Sequence, residues 1–168
     1  MTVPPQGPPP AADPDLVADA RRVLTAVRYL VLATVDADGA PHASPVFFTQ
    51  AGRDLYWVSN PRAHHSRNVA AEPRVDAVVF DSTRAIGAGE AVYVTGRAQQ
   101  VPDDELAERC AAAYADARGL SPFTPAELSG ESDLRLYVLT VDEWFLHAPG
   151  SHPTRGAGTD RRLPVDLP

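Results

Sequence analysis

No lysine occurs anywhere in the sequence; its 15 basic residues are all arginine. That absence removes two chemistries. A Schiff base with pyridoxal phosphate needs a lysine amine, and a Walker-type phosphate loop needs its lysine. Cysteine occurs once, as Cys110, so an intramolecular disulfide and a cysteine-rich metal site are both excluded. Within LAERCAAAYA it reads as a small buried apolar residue rather than a nucleophile. Long apolar runs are also missing. None approaches the ~18 residues of a membrane span, and the opening MTVPPQGPPPAADP has no basic stretch followed by an apolar one, so it does not read as a signal peptide. A cytoplasmic location with no membrane partner is expected. Positive charge is short as well. The formal net charge is −7 and the isoelectric point about 5.1, which argues against a nucleic-acid partner, since that needs a basic field.

What is present is enough chain for one domain with a sizeable core. Residues 1–12 are proline-rich and read as a disordered tail. Asp13-Pro14 reads as a helix start, and Leu16, Val17, Ala20, Val23, Leu24 and Val27 follow at helical spacing, which predicts a helix over 14–28. RYLVLATVD is a continuous apolar run, expected to be a strand buried on both faces. DADG is a hairpin turn, PHASPVFF a second strand, TQAGRD a second turn and LYWVS a third strand, a pattern that predicts an antiparallel meander placing 41–48 beside 55–59. A helix starting with Asn60 and Pro61 follows, ended by Glu72-Pro73. RVDAVVFD and AVYVTGRAQQV are strands four and five. A helix is expected from Asp103 to about Arg118, with acids favourably placed against its dipole. LRLYVLTVDEWFLH is the sixth strand, with a bend near Asp142, and the tail 150–168 offers RRLPVDL as a short edge strand. The expected fold is therefore α+β, a six-stranded antiparallel barrel-like sheet with flanking helices over residues 13–149.

One stretch is built against the usual rules for a strand. Pro41 and Pro45 cannot donate to a ladder, and His42 and Ser44 share one face. Shortly after, the third strand runs through Trp57, Val58 and Ser59 into His64, His65, Ser66, Arg67 and Asn68 at a helix start. Free N–H groups and the positive dipole end suit an anion there, and Ser59, His65 and Arg67 add donors. A planar ligand could lie over the strands with a phosphate at the helix start. His147 and His152 lie five apart without a third ligand, so no metal is expected from them. The glycines of IGAGE read as a flexible hairpin, and Trp144 as core or interface.

These motifs carry a resemblance. The DG-x-P-H-x-S-P-V strand, the L-Y-W-V-S strand and the R-N…P-R-V segment, within residues 25–101, resemble the pyridoxamine 5'-phosphate oxidase-like FMN-binding split-barrel family. The resemblance implies a six-stranded split β-barrel, a homodimer, and FMN at the subunit interface. It implies that His42, Ala43, Ser44, Pro45 and Val46 line the isoalloxazine ring, that Trp57 and Val58 flank it, and that Ser59, His65, Ser66, Arg67 and Asn68 surround the phosphate. His65 stands where the family usually has a lysine. The prolines can mark a bulge or an edge, and a bulged strand would free neighbouring N–H groups for ring atoms.

The function expected is an FMN-dependent oxidoreductase acting on a small organic substrate. A deazaflavin coenzyme is the alternative on the same fold, its acidic tail met by Arg62, Arg84 and Arg97. A non-catalytic flavin- or haem-binding carrier or sensor is the other. Synthesis of pyridoxal phosphate is not expected, because that subclass resembles a longer chain with an arginine-rich C-terminal segment, which TDRRLPVDL echoes only faintly. With an imidazole in place of a lysine, phosphate affinity should fall through the mildly alkaline range.

Overall fold

The computed structural model describes residues 14–116, 121–156 and 158–167. The tail 1–12, Asp13 and Arg118 lie outside that range. Helix α1 (Pro14–Ala26) leads into β1 (Tyr29–Val35), β2 (Pro41–Phe47), β3 (Thr49–Ala51) and β4 (Asp54–Ser59). Helix α2 (His64–Ala71), β5 (Arg74–Phe80), β6 (Ala91–Gln100) and α3 (Leu106–Ala113) follow, then a 3-10 turn at Pro125–Leu128, β7 (Arg135–Ala148) and β8 (Arg161–Val165). The sheet has eight strands rather than six, because Thr49–Ala51, expected within a turn, forms a short strand after Phe48, and the C-terminal segment does form an edge strand on β7.

The strand order is β2-β1-β5-β6-β7-β4-β3, every pair antiparallel. The two ends of that order, β2 and β3, are joined in sequence by the single residue Phe48. A sheet whose ends lie one residue apart must curl on itself, so the path closes into a barrel. This corrects the expected meander. β2 pairs with β1, and β4 pairs with β3 and β7, so residues 41–47 do not share a ladder with 55–59.

The β1–β2 hairpin turns at Gly39, whose φ of 89° needs a residue without a Cβ. Asp36 N–H donates to the Ala40 carbonyl and Phe48 N–H to the Arg28 carbonyl, at 2.8 and 3.1 Å. The register runs from Tyr29 opposite Phe47 to Val35 opposite Pro41 without a shift. Antiparallel pairs alternate between bonded and non-bonded. His42, Ser44 and Val46 therefore occupy bonded pairs, while Pro41, Ala43, Pro45 and Phe47 turn their backbone groups to the open edge. The prolines mark an edge, one of the two expected readings, and not a bulge; they sit where no ladder donor is needed.

Even-numbered side chains of β1 and β2 point inward. Leu30, Leu32, Val46 and Phe48 join Trp57, Val79, Val94, Leu139, Val141 and Trp144 in the barrel core, with Ala20, Val23 and Leu24 of α1 closing it. A second core lies on the other face of β4 and β7, where Tyr56, Leu136 and Val138 meet Leu106, Cys110 and Ala113 of α3. Cys110 is buried there as expected. The helix expected from Asp103 starts only at Leu106, because the acids sit in turns closed by Glu105 N–H to Pro102 O and Leu106 N–H to Asp103 O. The helix expected at Pro61 starts at His64. Asn60 instead accepts the Arg62 N–H at 2.8 Å and folds the segment into a turn.

β1 is buried on one face only. Tyr29, Ala33 and Val35 are exposed and Val31 half-buried. The expected burial on both faces fails within one chain because, among the described residues, no helix covers this side.

The bend near Asp142 is real. Thr95 faces Glu143 and Gly96 faces Val141, so Asp142 is the extra residue of a bulge. Arg53 ties it down, donating to the Val141, Asp142 and Leu167 carbonyls at 3.1, 2.7 and 3.0 Å. Opposite, Gly96 lies so close that a Cβ would run into the Thr140 carbonyl and the Leu139 side chain. Gly96→Ala should cost about 1–3 kcal/mol through overpacking, read as a lower urea midpoint. An unchanged midpoint would show that the bulge can relax.

Candidate functional site

The inward face of the β1–β2 hairpin grades from apolar to polar. Leu30 and Leu32 are fully buried; Thr34 and Asp36 follow on β1 and its turn, and Ser44 and His42 lie opposite on β2. Helix α2 covers this polar end. Asn68, 6% exposed, donates Nδ2–H to Thr34 Oγ1 at 3.1 Å, which fixes the helix to β1.

The residues expected to hold a ligand separate into three groups. Ser59, His65 and Ser66 form one. Ser59 Oγ lies 2.9 Å from His65 Nε2, and Ser66 Oγ donates to Ser59 Oγ at 3.1 Å. Ser59 and Ser66 are buried and His65 is half-buried. Ala63, at the N-cap, makes no side-chain cap bond, so no cap occupies the first-turn N–H groups of α2. The second is His42, which meets His64 and, outside the expected residues, Asp36. His42 Nε2 lies 2.9 Å from Asp36 Oδ2 and His64 Nε2 2.5 Å from Asp36 Oδ1, with the two imidazole rings 4.0 Å apart. The third is the open edge of β2, where Ala43 and Pro45 are exposed and Ser44 is half-buried.

Other expected residues stand apart. Trp57 is buried and stacks on Tyr137 at 5.5 Å, its Nε1 without a partner. Val58 points to the other face of β4, toward α3. Val46 is in the barrel core. The Arg67 guanidinium donates to the Arg62 carbonyl, and Arg62 pairs with Asp133 at 2.7 Å. Arg84 and Arg97 lie at opposite ends of the β5–β6 hairpin, roughly 20 Å apart at ~3.3 Å per residue. Arg62, Arg84 and Arg97 therefore do not line one groove. Trp144 is buried in the core, and His152 Nδ1 accepts the Arg155 N–H at 3.0 Å.

Asp36 was hidden from sequence reading because it looked like a turn residue. The hairpin register was the available signal: Thr34 faces His42, so Asp36 lies diagonal to His42 on the same face. Charge at this end is set by the neighbours. Burial pushes the His65 imidazole below its usual value and the adjacent His64 pushes it the same way. For Asp36, burial pulls upward, but hydrogen bonds from His64 and Asn68 and the charges of His42 and His64 outweigh it and hold the carboxyl below its usual range.

An antiparallel barrel closed at one residue, with a polar end beneath a short helix start, defines a split-barrel protein. Residues 16–148 match the family model described as pyridoxamine 5'-phosphate oxidase, and the chain belongs to that family. Similar solved structures include a heme binding protein from Mycobacterium smegmatis, at 24% identity and TM-score 0.64 over 92% of this chain. This chain spans 60% of that protein's length. The heme storage protein HutZ from Vibrio cholerae is 22% identical with TM-score 0.55, over 78% of this chain and 92% of that one. An F420 reductase is 24% identical with TM-score 0.54, over 74% and 94%. No curated protein matches the chain.

Asn68→Ala should cost about 1–3 kcal/mol, because it leaves the buried Thr34 hydroxyl unpaired, and should be read as a lower urea midpoint. Unchanged stability would show that packing of Val69 alone holds α2.

Proposed function

We propose that the chain is an FMN-binding oxidoreductase of the split-barrel family acting on a small organic substrate. The observation that carries this reading is the Ser59–His65–Ser66 cluster at an uncapped helix start, beside the open edge of β2. Phosphate oxygens need several converging donors. Two hydroxyls, an imidazole and the first-turn N–H groups supply them. Arg67 is next to Ser66, and its guanidinium would leave the Arg62 carbonyl to join them. The outward N–H of Ala43 would face the ring, and the prolines keep a competing strand from pairing there. When bound, FMN supplies the redox chemistry; the chain places it and shapes the substrate pocket. No side chain stands out as a general acid or base.

An absorbance spectrum of the purified protein tests the cofactor. Paired visible bands support FMN. A single band to the blue would replace it with a deazaflavin, and a Soret band with haem. A colourless protein that binds none of these would remove the reading.

His65 gives the site a pH dependence. A bound phosphate stabilises its protonated form, whereas burial and His64 depress its value in the free chain. FMN affinity should therefore be greatest below the free-chain value, which lies under ~6.5, and fall as pH rises to the bound-state value. The window opens lower than the mildly alkaline range expected for an exposed imidazole. FMN titrations from pH 5 to 9 should show this slope, and His65→Lys should flatten it. A slope already flat in the unaltered protein would sink the role of His65.

A second copy of the chain is the partner proposed for the uncovered sheet face. Tyr29, Val31, Ala33 and Val35 of β1 lie beside Pro41, Ala43, Pro45 and Phe47 of β2 and Val78 of β5, and Phe80 is 47% exposed on the same strand. A face so largely apolar, with exposed Asp76 opposite Ala33 as a charged member, marks an association surface. Light scattering on the native protein should give twice the 18.0 kDa chain mass. Ala33→Arg, at an exposed position, should give the single mass; a native monomer would overturn the dimer.

A further inference from the structure

Asp36, His42 and His64 converge, and of these the flavin reading uses only His42. We propose that they form a binding site for a divalent ion of the zinc class, held by two imidazole nitrogens and one carboxylate. Their ligand atoms all lie within 4.8 Å of one another. Each histidine aims Nε2 at a different oxygen of the same carboxylate, at 2.9 and 2.5 Å. Zinc bonds of about 2.0–2.1 Å place tetrahedral donors roughly 3.3 Å apart. The two contacts need to open by about 0.4 and 0.8 Å for an ion to replace the hydrogen-bonding protons.

The donors come from three elements, so their meeting is a product of the fold. Asp36 sits where the β1–β2 hairpin turns, fixed by its N–H to the Ala40 carbonyl at 2.8 Å. His42 is one pair along β2, opposite Thr34. His64 opens α2, which Asn68 ties to that same Thr34. Neighbouring cations do not compete: Arg67 donates to the Arg62 carbonyl, and His65 Nε2 faces Ser59.

Two imidazoles and a carboxylate suit zinc, cobalt, nickel or ferrous ions better than calcium or magnesium, which favour all-oxygen sets. Three protein ligands leave a fourth position open. The histidine side chains are 38% and 47% exposed, so that position is reachable by water or an anionic group of a substrate.

Calorimetry with Zn²⁺ on the full chain, with and without added FMN, tests the site. One ion per chain is expected, with affinity reduced at least about tenfold in Asp36→Asn, His42→Ala and His64→Ala, and unchanged in His152→Ala. Binding that survives in all three variants, binding lost in His152→Ala, or no binding overturns the proposal. Should the variants fail to fold, Co²⁺ added to the unaltered chain decides. Intense visible bands of a four-coordinate nitrogen–oxygen site support it, and the weak spectrum of the hydrated ion overturns it. Zinc binding without FMN binding would sink the flavin reading alone; FMN binding without zinc binding would sink this one alone.

Discussion

The structure depends on a closure made at Phe48. One fully buried ring sits between two strands that end up at opposite ends of the sheet order. Its N–H still belongs to the β1 ladder, through the Arg28 carbonyl, while the next residue pairs with β4. Burying the ring forces the chain to turn inward at that point. Removing such a side chain from a core typically costs about 3–5 kcal/mol, and here the loss would fall on the joint between two ladders. The same closure brings β2, with its prolines, to an open edge beside the start of α2.

The barrel also determines where polar groups can collect. Its inward face is filled by Leu30, Leu32, Val46 and Phe48 at one end. At the other end Thr34, Asp36, His42 and Ser44 replace them, and burying those side chains without partners would be costly. The solution is a short helix whose first turn and a half carries partners: His64 for Asp36, His65 and Ser66 for Ser59, Asn68 for Thr34. The site is thus the part of the barrel that could not be made apolar once α2 began there.

Much of this was legible in the sequence, and the failures have physical causes. Alternation placed His42 and Ser44 on one face, and the helix start after Ser59 was visible from its polar residues. Local patterns also located the bend at Asp142 and the C-terminal edge strand. The pairing of β4 was not legible, because its partner β7 lies about eighty residues on, and short-range hairpin rules favour the nearer strand. The split at Phe48 was not legible because an aromatic in a strand gives no local sign of a corner. Asp36 was missed because a turn explains an aspartate without any ligand. The apolar run of β1 was read as burial on both faces. The alternation of burial along it shows a face that one chain leaves uncovered.

The missing lysine gives these observations a common sense. A lysine at a phosphate site is a fixed charge across the neutral range, whereas imidazole is the side chain whose ordinary value lies close to it. At this end of the barrel His42, His64 and His65 surround one carboxylate and two serines. His42 and His64 are both directed at Asp36. His65, half-buried beside His64 and directed at Ser59, is the imidazole left to meet an incoming anion.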